Sequence, residues 1–154
     1  LTILGDEKML EQVLINLVMN AREAVEGKAE IKAKAEREKA KAKAKEKEKE
    51  KEKEKEKNKE KDKEKELEAG TFAGSIEMRA YREGDHTILT ISDNGQGIPK
   101  DQIESIFIPF YTTRESGSGI GLSLSRQLIQ LHNGTIEVHS RQNNGTRVTI
   151  TLPY

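Results

Sequence analysis

The chain has 154 residues, room for one domain, and its formal net charge of zero hides two unlike materials. Residues 28–68 carry 18 basic and 14 acidic side chains, net +4, while the remaining 113 residues carry 9 and 13, net −4. Cysteine is absent, which excludes disulfides and thiolate metal sites and suits an intracellular setting. A net negative globular part gives no support for general nucleic-acid binding.

No apolar run approaches the roughly 20 residues that a membrane span needs, and no signal peptide opens the chain. It begins at "LTILGDEKML", almost directly in a helix, which reads as a domain drawn from a longer protein. The helical period is strongest over residues 6–26. Asp6 is the expected N-cap and Gly27 the expected stop. At about 100° per residue, Leu10, Val13, Leu14, Leu17, Val18, Ala21, Ala24 and Val25 share one face. Gln12, Asn16, Asn20 and Glu23 form a polar strip along its edge. Carboxamide oxygens are neutral ligands suited to Mg²⁺, which keeps several waters and shares its shell with nucleotide phosphates.

The charged block, residues 28–68, is of low complexity. Strict Lys-Glu alternation sets opposite signs at i,i+3 and like signs at i,i+4, so helix-stabilising pairs partly cancel. Intrinsic propensity still favours helix, most of all over residues 28–45. Both a solvated helix and a disordered loop fit, as a tolerated insertion or as a spacer or docking element.

Two strands are expected next, residues 74–82 and 86–92, joined by the turn "EGD". "DNGQGIP" breaks the pattern. Asp93 closes a strand, where its carboxylate can accept a proton donor such as an exocyclic amine, and Gly95 and Gly97 let the backbone approach a flat ring. "KDQIESIF" reads as a short helix. Phe107 and Phe110 are expected to pack one end of the polar loop "YTTRESGSG" onto the core. A helix over 120–132 follows, then "TIEVHS" and "TRVTITL" as a hairpin across "RQNNG". The order implies an α+β fold, with helices on one face of a mainly antiparallel sheet.

The glycines of "SGSGIGL" fit neither common phosphate fingerprint. From Gly117 the third position of G-x-G-x-x-G holds Leu122, and no Lys-Ser or Lys-Thr pair completes a P-loop. They do allow a sharp turn before a helix whose first N–H groups suit an anion, and "TTRE" just upstream supplies hydroxyls and a cation.

Taken together, "EQVLINLVMNAREA", "DNGQGIP", "IFIPFYTTR" and "GSGIGL" resemble the N, G1, F and G2 boxes of the catalytic ATP-binding domain of sensor histidine kinases, within the gyrase/Hsp90/histidine kinase/MutL superfamily. All four occur in the family order and cover nearly all of the chain outside the charged block. The resemblance implies the Bergerat α/β sandwich, ATP and Mg²⁺ as ligands, and a protein-histidine kinase. It makes Asn20 the Mg²⁺ ligand, with Asn16 supporting the ion and the phosphates. Asp93 would read the adenine amino group, with Gly95, Gly97 and Ile98 about the base. Arg114 would reach the γ-phosphate. Phe110, Thr112 and Thr113 would border the nucleotide, and Gly117, Ser118, Gly119, Ile120, Gly121 and Leu122 would close over the triphosphate.

Within that superfamily the gyrase-like ATPases place a glutamate four residues before the Mg²⁺ asparagine, as base for the attacking water. Asn16 stands there and cannot take a proton at neutral pH, so slow hydrolysis and transfer to another acceptor are expected. The acceptor would be a histidine on a separate dimerisation domain, and a response regulator would follow it. His86, His132 and His139 do not resemble the phosphoacceptor motif, so this chain is expected to bind ATP without phosphorylating itself. A single domain over 1–154 with 28–68 inserted is expected, cytoplasmic even where its parent kinase is membrane-anchored, with no nucleic acid or membrane contact of its own. The alternatives are a serine kinase of the anti-sigma type and a binding module indifferent to nucleotide.

Overall fold

A computed structural model describes residues 5–53, 72–113 and 117–154. Contacts divide the chain into two compact units, Leu1–Lys28 with Gly74–Tyr154, and Ala29–Ala73. The elements are α1 (Glu7–Lys53), β1 (Ile76–Glu83), β2 (His86–Asp93), a 3-10 turn (Ser105–Phe107), α2 (Gly121–Leu131), β3 (Thr135–Arg141) and β4 (Gly145–Pro153).

Asp6 caps α1 as its position predicts, its Oδ1 accepting the Met9 N–H at 3.0 Å. The expected stop at Gly27 does not occur. A terminating glycine adopts a left-handed conformation, and Gly27 is not among the glycines with positive φ. α1 therefore runs on to Lys53, 47 residues in all. Helix propensity of Ala, Lys and Glu outweighs both the glycine and the like-charge pairs. In the second unit this decides for helix as far as Lys53, and the rest of the charged block lies outside the described residues.

The sheet runs β1-β2-β4-β3, and every strand pairing among the described residues is antiparallel. In register, Leu89 and Ile91 of β2 lie beside Ile150 and Val148 of β4, which lie beside Ile136 and Val138 of β3. That face carries the core, where Val13, Leu17 and Ala21 of α1 and Ile129 of α2 meet Ile91, Ile150 and Leu152. Fully burying one such aliphatic side chain stabilises by roughly 1.5–3 kcal/mol, so this cluster holds both helices against the sheet. β1 is the edge and is exposed along its whole length. Its outer face carries an ion pair in which Glu77, 2.7 Å from Arg79, raises the guanidinium pKa.

"KDQIESIF" yields a series of turns and one short 3-10 helix rather than an α-helix. Ile106 is its buried residue, and Arg126 of α2 lies 5.0 Å from the Phe107 ring centroid. His132 joins the two helices, with Nε2 accepting the Asp6 N–H at 2.9 Å and Nδ1 against Leu128 O at 2.7 Å. Its role is structural, as its place at a helix end suggests. Among the described residues no helix is long and apolar enough to cross a membrane.

Candidate nucleotide site

The site is organised by one ridge of α1. Residues four apart stack along a helix, so Asn16, Asn20 and Ala24 form a row. Asn16 donates from Nδ2 to Gly121 O at 2.9 Å, with Ser125 Oγ at 3.4 Å, and so ties α1 to the first turn of α2. A Cβ at Gly121 would come within 2.9 Å of Asn16 Oδ1, so glycine is what allows the approach.

At the other end of the row, Ala24 O accepts the Gln96 N–H at 3.0 Å. Gly95 lies so close over the helix that a Cβ there would sit 2.5 Å from the Ala24 carbonyl carbon. Half-buried Asn20 stands between these two contacts, on the side of the helix that faces both the "DNGQGIP" loop and the start of α2.

Asp93 is the last residue of β2, and its Oδ1 accepts the Gly95 N–H at 2.8 Å. Loop and carboxylate orientation are thus one feature. Gly97, at φ +66°, abuts Arg141 O too closely for any side chain, and the Ile98 N–H donates to Ser140 Oγ at 2.8 Å. Gly145, at φ +97°, presses on Asp93 O in the same way, a contact the sequence reading missed because Gly145 passed for an ordinary hairpin glycine.

The F and G2 segments close on each other. Phe110 donates its N–H to Gly119 O at 3.0 Å, with Gly119 at φ +67° against the Phe110 backbone. Phe110 itself sits at φ +65° and is 76% exposed, so it does not pack onto the core as expected. Its backbone bonds Gly119, and Ile106 is the residue this segment buries, with Phe107 half-buried beside Arg126 rather than in the core cluster. Thr112 and Thr113 are exposed, and Gly117 is half-buried. Ser118 Oγ accepts the Ile120 N–H at 3.4 Å, and Leu122 packs against the core. Ile120 precedes α2 without a side-chain cap, so its side chain takes up none of the first helical N–H groups. Arg114 lies outside the described residues.

The four boxes therefore meet at one place. The sequence profile of the histidine kinase-, DNA gyrase B-, and HSP90-like ATPases matches residues 62–154. The chain belongs to that ATPase family. The sensor histidine kinase ZraS of Salmonella typhimurium is 42% identical over 81 residues, 52% of this chain and 17% of ZraS. The C4-dicarboxylate transport sensor protein DctB of Rhizobium meliloti is 30% identical over 97% of this chain and 17% of its own length. The chain thus spans about a sixth of these relatives. Among solved structures, the catalytic domain of the histidine kinase ThkA is 25% identical with a TM-score of 0.59, over 98% of this chain and 70% of that one. Full-length ShkA, solved with AMPPNP, shares the fold at 21% identity and a TM-score of 0.63, over 99% of this chain and 23% of its own. The family's two-layer α/β sandwich is the fold described above.

Proposed function

We propose that this ATPase-family chain is the catalytic domain of a sensor histidine kinase, and that it binds Mg-ATP between α1, the Asp93–Ile98 loop and the start of α2. The observation that carries the reading is the α1 row, in which Asn16 reaches Gly121 and Ala24 holds Gln96 on either side of Asn20. Asp93 would accept the adenine amino group, with Gly95, Gly97 and Ile98 beside the base. Thr112, Thr113 and Arg114, with Gly117 to Leu122, would meet the phosphates.

Among the described residues no three His, Cys, Asp or Glu gather as a metal cage. A single carboxamide oxygen fits Mg²⁺ that arrives with the nucleotide, since that ion keeps water and takes phosphate oxygens. Asn20 would hold it, and bound there it would neutralise charge on the phosphates. What the chain itself supplies is position: the γ-phosphate is held in line for an imidazole nitrogen on a separate dimerisation domain. The bond from the γ-phosphorus to the β,γ-bridging oxygen breaks, a P–N bond forms, ADP leaves, and the imidazole proton passes to solvent. A response regulator would then draw the phosphoryl group from that histidine, in the cytoplasm.

Water is a poor competitor in this scheme. The side chain at the position of the hydrolytic base is Asn16, and its amide is occupied with Gly121 O and Ser125 Oγ. Calorimetric titration with a non-hydrolysable ATP analogue, with and without Mg²⁺, tests the site. Magnesium-enhanced binding that Asp93→Ala and Asn20→Ala each abolish is expected. Wild-type affinity in both variants overturns the assignment. Adding ATP and a histidine-bearing helical hairpin should then give phosphohistidine and little free phosphate. Rapid phosphate release instead would favour a hydrolase.

A further inference from the structure

The α1 row does not end at Ala24. One further step of four brings Lys28, whose Nζ donates to Asn94 O at 2.7 Å and to Asn143 O at 2.8 Å. The two carbonyls belong to different elements. Asn94 follows Asp93 in the base-side loop, and Asn143 is the tip of the β3–β4 hairpin. The same elements are also joined directly, since the Asn143 N–H donates to Gln96 O at 2.6 Å and the Ile98 N–H to Ser140 Oγ. Gly97 is wedged against Arg141 O between them.

Two backbone carbonyls that converge from separate elements turn their negative ends toward one point. Lysine satisfies both with a single charged, three-donor group, and charge-assisted bonds of this kind are the stronger ones. Their consequence runs through Asn94. Its carbonyl is fixed by Lys28, its N–H donates to Ser75 O at 3.2 Å, and its side-chain Oδ1 accepts the Ser75 N–H at 2.9 Å. With Asn94 pinned, Gly95 is pinned. The Gly95 N–H holds Asp93 Oδ1 at 2.8 Å, so the carboxylate has a set direction.

We propose that Lys28 is a positioning residue for base recognition, fixing the Asp93 carboxylate so that the site takes adenine and rejects guanine. This rests on the reading of Asp93 as the group that meets the base. Adenine presents a donating amine where guanine presents a carbonyl oxygen, and a carboxylate held still attracts the first and repels the second. A carboxylate free to turn away loses that distinction. The phosphate side of the site, at Asn20 and the α2 start, does not pass through Lys28.

The test uses the full chain as wild type, Lys28→Met, Lys28→Arg and Asp93→Ala, each titrated with non-hydrolysable ATP and GTP analogues and with inorganic tripolyphosphate, all with Mg²⁺. Lys28→Met keeps the length of the side chain and removes the donors. It should reduce the ATP-over-GTP preference about tenfold, the scale of one charge-assisted hydrogen bond, and leave tripolyphosphate affinity unchanged. Lys28→Arg should restore most of the preference. An unchanged ATP/GTP ratio in Lys28→Met overturns the proposal, as does an equal loss for all three ligands, which general loosening would give. Thermal midpoints taken in parallel, with titrations at 10 °C and with Lys28→Gln, keep the comparison to folded protein. Failure of the underlying reading looks different: Asp93→Ala would then keep the wild-type preference.

Discussion

Thr87 is 1% exposed, and its Oγ1 has no hydrogen-bond partner among the described residues. A buried hydroxyl without a partner costs roughly 1–3 kcal/mol in lost hydration. Valine keeps the β-branched shape that a strand favours and has nothing to desolvate. Thr87→Val should therefore stabilise by about 1 kcal/mol, a rise of a few degrees in thermal midpoint by calorimetry. A lower midpoint would mean that the hydroxyl is satisfied. Other residues show how far single positions could be read beforehand. In "DNGQGIP" residue type marks a loop, since Asp, Asn and Gly are ordinary turn formers, while the roles of Asp93, Gly95 and Gly97 at the base are what the family resemblance implies. The role of Gly145 was not legible, because its close approach to Asp93 O is made by the backbone of a distant hairpin. Local sequence carries no trace of that partner.

At the scale of elements, α1 is where reading and structure diverge most. The apolar period and the Asp6 cap were legible because both are local. The stop at Gly27 was read from the usual place of glycine after a helix, whereas this glycine serves a tertiary contact. A Cβ there would meet Gln96 Oε1 at 3.1 Å. Two opposed effects then decide Gly27→Ala. Glycine inside a helix costs about 1 kcal/mol relative to alanine, and the new methyl must displace the far end of a flexible glutamine side chain. The side chain can yield, so the helix term wins. Gly27→Ala should raise the thermal midpoint by a few degrees, and a fall would show that Gln96 is held rigidly. Lys28, the next residue, was missed for a related reason. It was counted with the charged block, although its spacing of four from Ala24 continues the row of Asn16 and Asn20. Helical register was the available signal, and composition hid it.

For the whole molecule, the question is what the second unit contributes to the first. Its two roots lie at one residue: Lys28 Nζ bonds Asn94 O, and Ser75 exchanges two hydrogen bonds with the backbone N–H and the side chain of the same Asn94. The chain thus leaves and re-enters the globular unit at nearly the same point. Closure entropy grows only slowly with loop length, so the length of what lies between is nearly neutral for the fold. The core and all four boxes lie in the first unit, outside Ala29–Ala73. Replacing residues 29–73 with a short glycine-serine connection, Lys28 retained, should leave binding of a non-hydrolysable ATP analogue within about twofold of the full chain, as for changes with no shared contacts. Calorimetric titration of both proteins decides it. A loss of tenfold or more would overturn the independence of nucleotide binding from residues 29–73.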